Sequence, residues 1–243
     1  WGHYPVVDLQ YTTQAPIAVA LRAWSPFIPG DVQASNIPAA IFELHLRNDA
    51  ATRKTGTAAF SFPGPTEYEG GELPLRRRAM RGQGYNGIEV AGTRSGYVLA
   101  AIDEDRVRTG DGLGCDGGAW CRIHKGLPTS AGGPGATVAV DWALESGEER
   151  VIRFVLAWHS PVWYAGGSPD PLMRFSLPWF DRETPATGAT DGRSSPYTHM
   201  YAARFTTAVE VANAVVREHG WNQRVSELLD RLEADTAEEG LAA

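Results

Sequence analysis

Cysteine is scarce, with only Cys115 and Cys121 in 243 residues. That excludes a disulfide framework as the source of stability. A chain of this length needs none, because it can bury well over half of its unfolded surface. The two thiols lie in GLGCDGGAWCRIHKG, with His124 close behind. Their spacing is wider than the about two to four residues that separate paired zinc ligands. Two thiols in a glycine-rich loop, able to pair only if the loop folds back, is the reading this spacing supports. Long apolar runs are also missing. The longest is about six residues, where a spanning helix needs about twenty, so no transmembrane segment is expected. No basic, apolar, small-residue leader opens the chain. It begins on Trp1 rather than Met, and the expectation is a processed product or a piece of something longer.

Excess positive charge is absent. A net charge of −7 and a pI near 5.4 argue against a nucleic-acid partner, which demands clustered Lys and Arg on one face. The one basic cluster, Arg76, Arg77, Arg78 and Arg81, lies among Gly and Pro and reads as a solvated loop. Motif chemistry is absent as well. No GxGxxG stands in a strand-turn-helix setting, and neither GxxxxGK[ST] nor GxSxG occurs. The histidines, His3, His45, His124, His159, His199 and His219, form no HExxH or tight HxH cluster, so no metal and no cofactor is expected. Asp103, Glu104 and Asp105 read as a solvated run, as do Glu148 and Glu149, because catalytic carboxylates need partly dry surroundings.

What the sequence does contain is 27 Gly, 16 Pro and 8 Trp, a composition of many turns and large aromatic anchors. Up to about residue 160 the dominant period is two. Ile17, Val19 and Leu21 alternate with Ala18, Ala20 and Arg22. Ala40, Phe42, Leu44 and Leu46 alternate with Ile41, Glu43, His45 and Arg47. Val138, Val140, Trp142 and Leu144 oppose Thr137, Ala139, Asp141 and Ala143, and Ile152, Phe154, Leu156 and Trp158 oppose Val151, Arg153, Val155 and Ala157. ESGEER is the hairpin between those last two. Thr55 to Phe62 and Gly96 to Asp103 are further strand candidates. Half-buried strands at this density, with no helix between them, predict a mainly β fold: antiparallel sheets stacked as a sandwich.

The texture changes near the C-terminus. Ser195 with Pro196 is a helix-start pair, followed by a stripe of Tyr197, Tyr201, Phe205, Ala208, Ala212 and Val216. This helix is predicted to end near His219 and Gly220. A second, roughly 222–234, carries Val225, Leu228, Leu229 and Leu232 on one side. The domain division is therefore 1–192 for the sandwich and 193–243 for C-terminal linker helices.

The most tempting site candidate is His159, in FVLAWHSPVWYAGG at the end of the strongest strand. Strand-end loops often carry function, and Trp158, Trp163 and Tyr164 are placed to stack on a sugar ring. The alternative is packing: Trp158 in the core, His159 turned to solvent or a backbone carbonyl, and Pro161 ending the strand. The stretch Ala23 to Asn48, AWSPFIPGDVQASNIPAAIFELHLRN, reads as two strands joined by a proline-pinned loop bearing Trp24, Phe27 and Ile28.

Four segments in this order resemble the N-terminal domain of glycoside hydrolase family 116, the family of the non-lysosomal glucosylceramidase or bile-acid β-glucosidase. They are WGHYPVVDLQY, PIAVALRAWSPFIPGDVQASNIPAAIFELHLRN, GEERVIRFVLAWHSPVW and SPYTHMYAARFTTAVEVANAVVREHGW. SPFIP (Ser25 to Pro29) with the downstream S-x-I-P (Ser35 to Pro38) is specific in combination, and AWHSP (Ala157 to Pro161) supports it. The stretch from about Pro63 to Cys121 matches weakly. The resemblance implies a β-sandwich followed by a linker into an (α/α)6 catalytic barrel. On that barrel a glutamate nucleophile and an aspartate acid/base hydrolyse β-glucosidic bonds with retention. No residue here matches either, so the chain alone is not expected to be active. Family members carry further strands upstream, so an unpaired sheet edge is expected where those belong.

Three readings follow. The first is a non-catalytic domain that supports the barrel, with the Tyr197, Tyr201, Phe205 stripe docking on it. The second is a free-standing carbohydrate-binding module, which requires a row of exposed aromatics. The third is a small hydrolase using carboxylates of this chain. The first is the reading the motifs favour. Its substrate stays open among glucosylceramide, another β-glucoside, a xyloside or an N-acetylglucosaminide, and a cytoplasmic location is the expectation.

Overall fold

The period-two segments pair as antiparallel strands in the computed structural model, which describes residues 2, 3, 5–65, 75–129, 133–164 and 196–217. The large sheet is built from β1 (Gly2–His3), β2 (Val6–Tyr11), β3 (Ile17–Trp24), β4 (Ala39–Asn48), β11 (Glu149–His159), β8 (Gly96–Ile102), β7 (Tyr85–Ala91) and β6 (Arg76–Gly82), side by side in that order. A smaller sheet of β5 (Lys54–Phe62), β10 (Ala136–Leu144) and β9 (Val107–Asp111) stacks on one face of it. The short strands β12 (Val162–Tyr164) and β13 (Pro196–Thr198) pair with each other.

Alternation decides what each face meets. Residues of one parity, Ile17, Leu46, Ile152, Phe154, Tyr97, Leu99, Ile88 and Val90, face the small sheet and pack with Ala58, Ala136, Val138, Val140 and Leu144. Phe60 links the layers, with its ring centroid 4.2 Å from that of Phe42 and 6.0 Å from that of Phe154. Gly56 leaves room for the indole of Trp142, since a β-carbon there would collide with it. Residues of the other parity, Val6, Trp24, Ile41, Val155, Ala157, Val98 and Ala100, are equally buried, but against a helix. The sheet is therefore covered on both faces. Its strand β8 accordingly reads Tyr97-Val98-Leu99-Ala100-Ala101 without a polar break, every residue at or below 2 % exposure.

Three short helices complete the described residues: α1 (Val32–Ser35), α2 (Gly117–Cys121) and α3 (Ala208–Arg217), with a 3-10 turn at Met200–Ala203. α3 presents Ala208, Val211, Ala212, Val215 and Val216 to the second sheet face. The stripe from Ala208 to Val216 is thus helical as expected. The helix start at Ser195 and Pro196 is not: Pro196–Thr198 is extended, because it pairs with Val162–Tyr164. The expected second helix, roughly 222–234, lies outside the described residues.

The arginine cluster is a second correction. Arg76 to Arg81 form most of β6, paired along their length with β7, and the hairpin turns at Gly84 with φ +83°. Arg77 points inward at the sandwich rim. It meets Asp111 at 2.9 Å, both side chains about 15 % exposed or less, and donates to the carbonyls of Gly133 and Gly110.

The loop between β3 and β4 explains why its two motifs travel together. Ser35 Oγ accepts from the Ile28 amide at 3.0 Å and donates to the Ile28 carbonyl at 2.9 Å. Asp31 caps α1 by accepting from the Ala34 amide. The serine of the second motif thus pins the isoleucine of the first. Trp24 is 5 % exposed, so it belongs to the core, and this corner is structural.

Candidate functional site at the end of β11

β11 runs to His159 and stops at Pro161, which has no amide proton to continue the ladder. Alternation sends its last two side chains to opposite faces. Trp158 pairs across the ladder with Tyr97 yet remains 38 % exposed, past the cover of the small sheet. His159 turns to the helix side, where Nε2 lies 3.0 Å from the carbonyl oxygen of Phe205. A carbonyl can only accept, so Nε2 carries the proton.

Around this histidine the chain is stitched tightly. The Tyr201 hydroxyl donates to the Ser160 carbonyl at 2.5 Å and accepts from the Ser160 amide at 3.0 Å. Burial pushes its pKa up, opposed by the Ser160 hydrogen bond. The Tyr201 ring takes His159 edge-on at 6.0 Å and stacks on His199 at 5.2 Å. Arg204 lies over the Phe205 ring at 4.8 Å and donates to the Gln33 carbonyl. Glu210 accepts from the amide and hydroxyl of Thr206, and these bonds hold its carboxyl below the usual range. The corner joins the end of β11, the 3-10 turn and the start of α3. Its polar groups are spent on one another, which fits a fastening better than a reaction centre. Trp163 lies in β12, but its side chain is outside the described residues.

Glycoside hydrolysis with retention needs two carboxyl groups about 5–5.5 Å apart, one of them held protonated. Among the described residues, several carboxylates are instead paired with arginines. Glu104, expected in a solvated run, sits at 15 % exposure with both oxygens 2.7 Å from Arg150. Asp8 pairs with Arg22, Glu43 with Arg153, Glu89 with Arg78, and Asp141 with Arg108. Hydrogen bonds from Arg22 hold the Asp8 carboxyl low. Burial works against Asp141, but bonds from Arg108 and Thr57 outweigh it and hold that carboxyl low too. A proton donor at neutral pH needs the opposite shift. Among the described residues, no group of three or more His, Cys, Asp or Glu side chains is placed to hold a metal ion. Cys115 and Cys121 are both exposed and unpaired thiols.

The tight pairs Arg77–Asp111 and Arg150–Glu104 were not read from the sequence. The signal for the first was the alternation within the arginine cluster: Arg77 shares the parity that β6 turns toward Val90 and the sandwich interior. Nothing local announced the second, because Arg150 is 46 residues from Glu104. Among the described tryptophans, Trp120 and Trp158 are exposed by 37 % and 38 %, one on α2 and the other on β11, while Trp24 is buried. They do not form a row.

No curated protein matches the sequence. Among solved structures, a putative kojibiose phosphorylase from human microbiome aligns over 63 % of this chain with 11 % identity and a TM-score of 0.37, and the chain spans 18 % of that protein's length. No helix among the described residues is long and apolar enough to cross a membrane. The family model for beta-glucosidase 2, glycosyl-hydrolase family 116 N-term, matches residues 1–110. Residues 1–110 are thus similar to the N-terminal domain of glycosyl-hydrolase family 116.

Proposed function

We propose that this chain is the non-catalytic N-terminal β-sandwich of a retaining β-glucosidase-type glycoside hydrolase, and that it supports a catalytic domain lying elsewhere in the full protein. The family match over residues 1–110 carries this reading. The carboxylates support it: Asp8, Glu43, Glu89, Glu104, Asp111 and Asp141 are paired with arginines, and among the described residues the three carboxyl groups whose pKa values move do so downward. We take the catalytic domain to be an (α/α)6 barrel acting on a β-glucoside or glycolipid, and the boundary between sandwich and linker helices to fall at 192/193. Trp158, exposed beside the exit toward α3, is the residue of this chain we assign to face that barrel or its sugar. His159 we assign to fastening that exit. The free-standing carbohydrate module is disfavoured by the scattered placement of Trp120 and Trp158.

The support role is tested by producing the catalytic portion of the full protein with and without this domain. Soluble, active enzyme only when the domain is present is the expected result. Equal yield, melting temperature and turnover without it would remove the support role.

A further inference from the structure

A thiol stands at each end of α2: Cys115 just before the N-cap Asp116, and Cys121 as the last helical residue. Both are exposed and unpaired. While α2 stays wound they cannot join. At about 1.5 Å of rise per residue, the helix sets Asp116 and Cys121 about 7.5 Å apart along its axis, and the extended backbone of Asp116 carries Cys115 further out. A disulfide needs its α-carbons within about 7 Å.

Little holds α2 wound. Its five residues include Gly117 and Gly118, and glycine is a poor helix former. Ala119 is the one residue it buries. Asp116 caps it by accepting from the Ala119 amide at 3.0 Å, and the Trp120 indole donates to the Gly114 carbonyl at 3.0 Å. A β-carbon at Gly114 or Gly117 would meet no described atom within 4 Å, so neither glycine is wedged against a neighbour. The flanks, by contrast, are fixed to the small sheet. The Leu113 amide donates to Ser61 Oγ at 2.9 Å, and the Leu113 side chain is buried. Arg108 holds the Ile123 carbonyl at 2.7 Å, and the Asp111 amide donates to the Pro128 carbonyl at 2.8 Å. A pliable segment between two anchors can refold without disturbing the sandwich.

We propose that Cys115 and Cys121 form a reversible oxidation site, closing into a disulfide as α2 unwinds. The oxidant is a small disulfide of the glutathione class. One protein thiolate attacks it, forming a mixed disulfide and expelling one thiolate. The second protein thiolate then attacks the protein sulfur of that bond and expels the other. The protein gives up two electrons and two protons, and the oxidant leaves as two thiols. Closure costs the Asp116 cap and frees Trp120 from the Gly114 carbonyl.

The test equilibrates the 243-residue chain in glutathione buffers of graded poise, then quenches, alkylates and weighs its peptides. The expected product is an internal Cys115–Cys121 link, two hydrogens lighter and reversed by reductant. Amides of residues 116–121 should exchange hydrogen faster in the oxidised chain. Gly117→Ala stiffens α2 and should raise the midpoint, as oxidised over reduced squared, by about threefold. Thiols that stay reduced, or that end only as glutathione adducts or links between copies, overturn the proposal. An internal link that leaves amide exchange unchanged, or a midpoint indifferent to Gly117→Ala, overturns the unwinding.

Discussion

Replacing Asn48 by Asp changes one atom type in a side chain with no exposed surface, and the consequence can be worked from its partners. Asn48 ends β4 where the sheet meets the turn after it and the hairpin joining β10 to β11. Its Nδ2 donates to the carbonyls of Thr52, Leu144 and Glu145, each at 3.0 Å, and its Oδ1 accepts from the Ala50 amide. Asn48→Asp keeps the acceptor and loses every donor. The Leu144 bond is fully buried, and a buried carbonyl left without a partner costs about 1–3 kcal/mol. The other two carbonyls are partly reached by water and cost about 0.5–1.5 kcal/mol each. The total at neutral pH is about 2–6 kcal/mol, before the repulsion between a carboxylate and three carbonyl oxygens. That repulsion raises the folded-state pKa of the new carboxyl. A group with a raised folded pKa contributes stability below its unfolded value, near 3.9, and loses it as pH rises through the folded value. The deficit relative to the parent should therefore be largest at pH 7.5 and shrink toward pH 4.5. Urea unfolding followed by tryptophan fluorescence at the two pH values measures both effects. A deficit under about 1 kcal/mol at pH 7.5, or one that does not change with pH, would refute the reasoning.

Other perturbations follow from the same packing. Arg77→Met removes the counter-charge 2.9 Å from Asp111, whose side chain is 13 % exposed, and should cost about 3–5 kcal/mol in denaturant unfolding, with part regained when Asp111→Leu is added. Gly87→Ala drives a β-carbon into the Leu99 carbonyl and to 2.5 Å from Ala100 Cα. This is backbone inside the sheet, so about 3 kcal/mol should be lost and the soluble yield should fall. Burial pushes the Tyr97 phenol far above its usual value of about 10, and it donates to the Pro134 carbonyl. The unfolded chain releases that proton first, so stability is complete below pH about 10 and declines above it. Tyr97→Phe should flatten that alkaline decline in thermal melts.

Much of the sandwich was legible because period two is a local property. The apolar faces read for β3, β4, β10 and β11 do meet the sandwich interface, but the opposite face of β4 and β11 is buried as well, with Ile41, Val155 and Ala157 packed against α3, and the Gly96 strand is the most buried of all. Where reading failed, the deciding force was remote. The arginine run is a strand because β7 supplies a ladder and Asp111 a counter-charge. Pro196 does not open a helix because Val162–Tyr164 captures the residues after it. The candidate site was half legible. Alternation gave the opposite facings of Trp158 and His159, and a backbone carbonyl was among the partners foreseen for His159. That the carbonyl is that of Phe205, 46 residues on, depends on how α3 docks.

The central claim is that chemistry does not reside in this chain. Hydrolysis of an aryl β-glucoside by the purified 243 residues, beside the full protein containing them, tests it most directly. The account predicts turnover by the full protein alone. Turnover by the 243 residues that disappears on Glu104→Gln would contradict it, and would return catalysis to carboxylates assigned here to ion pairs.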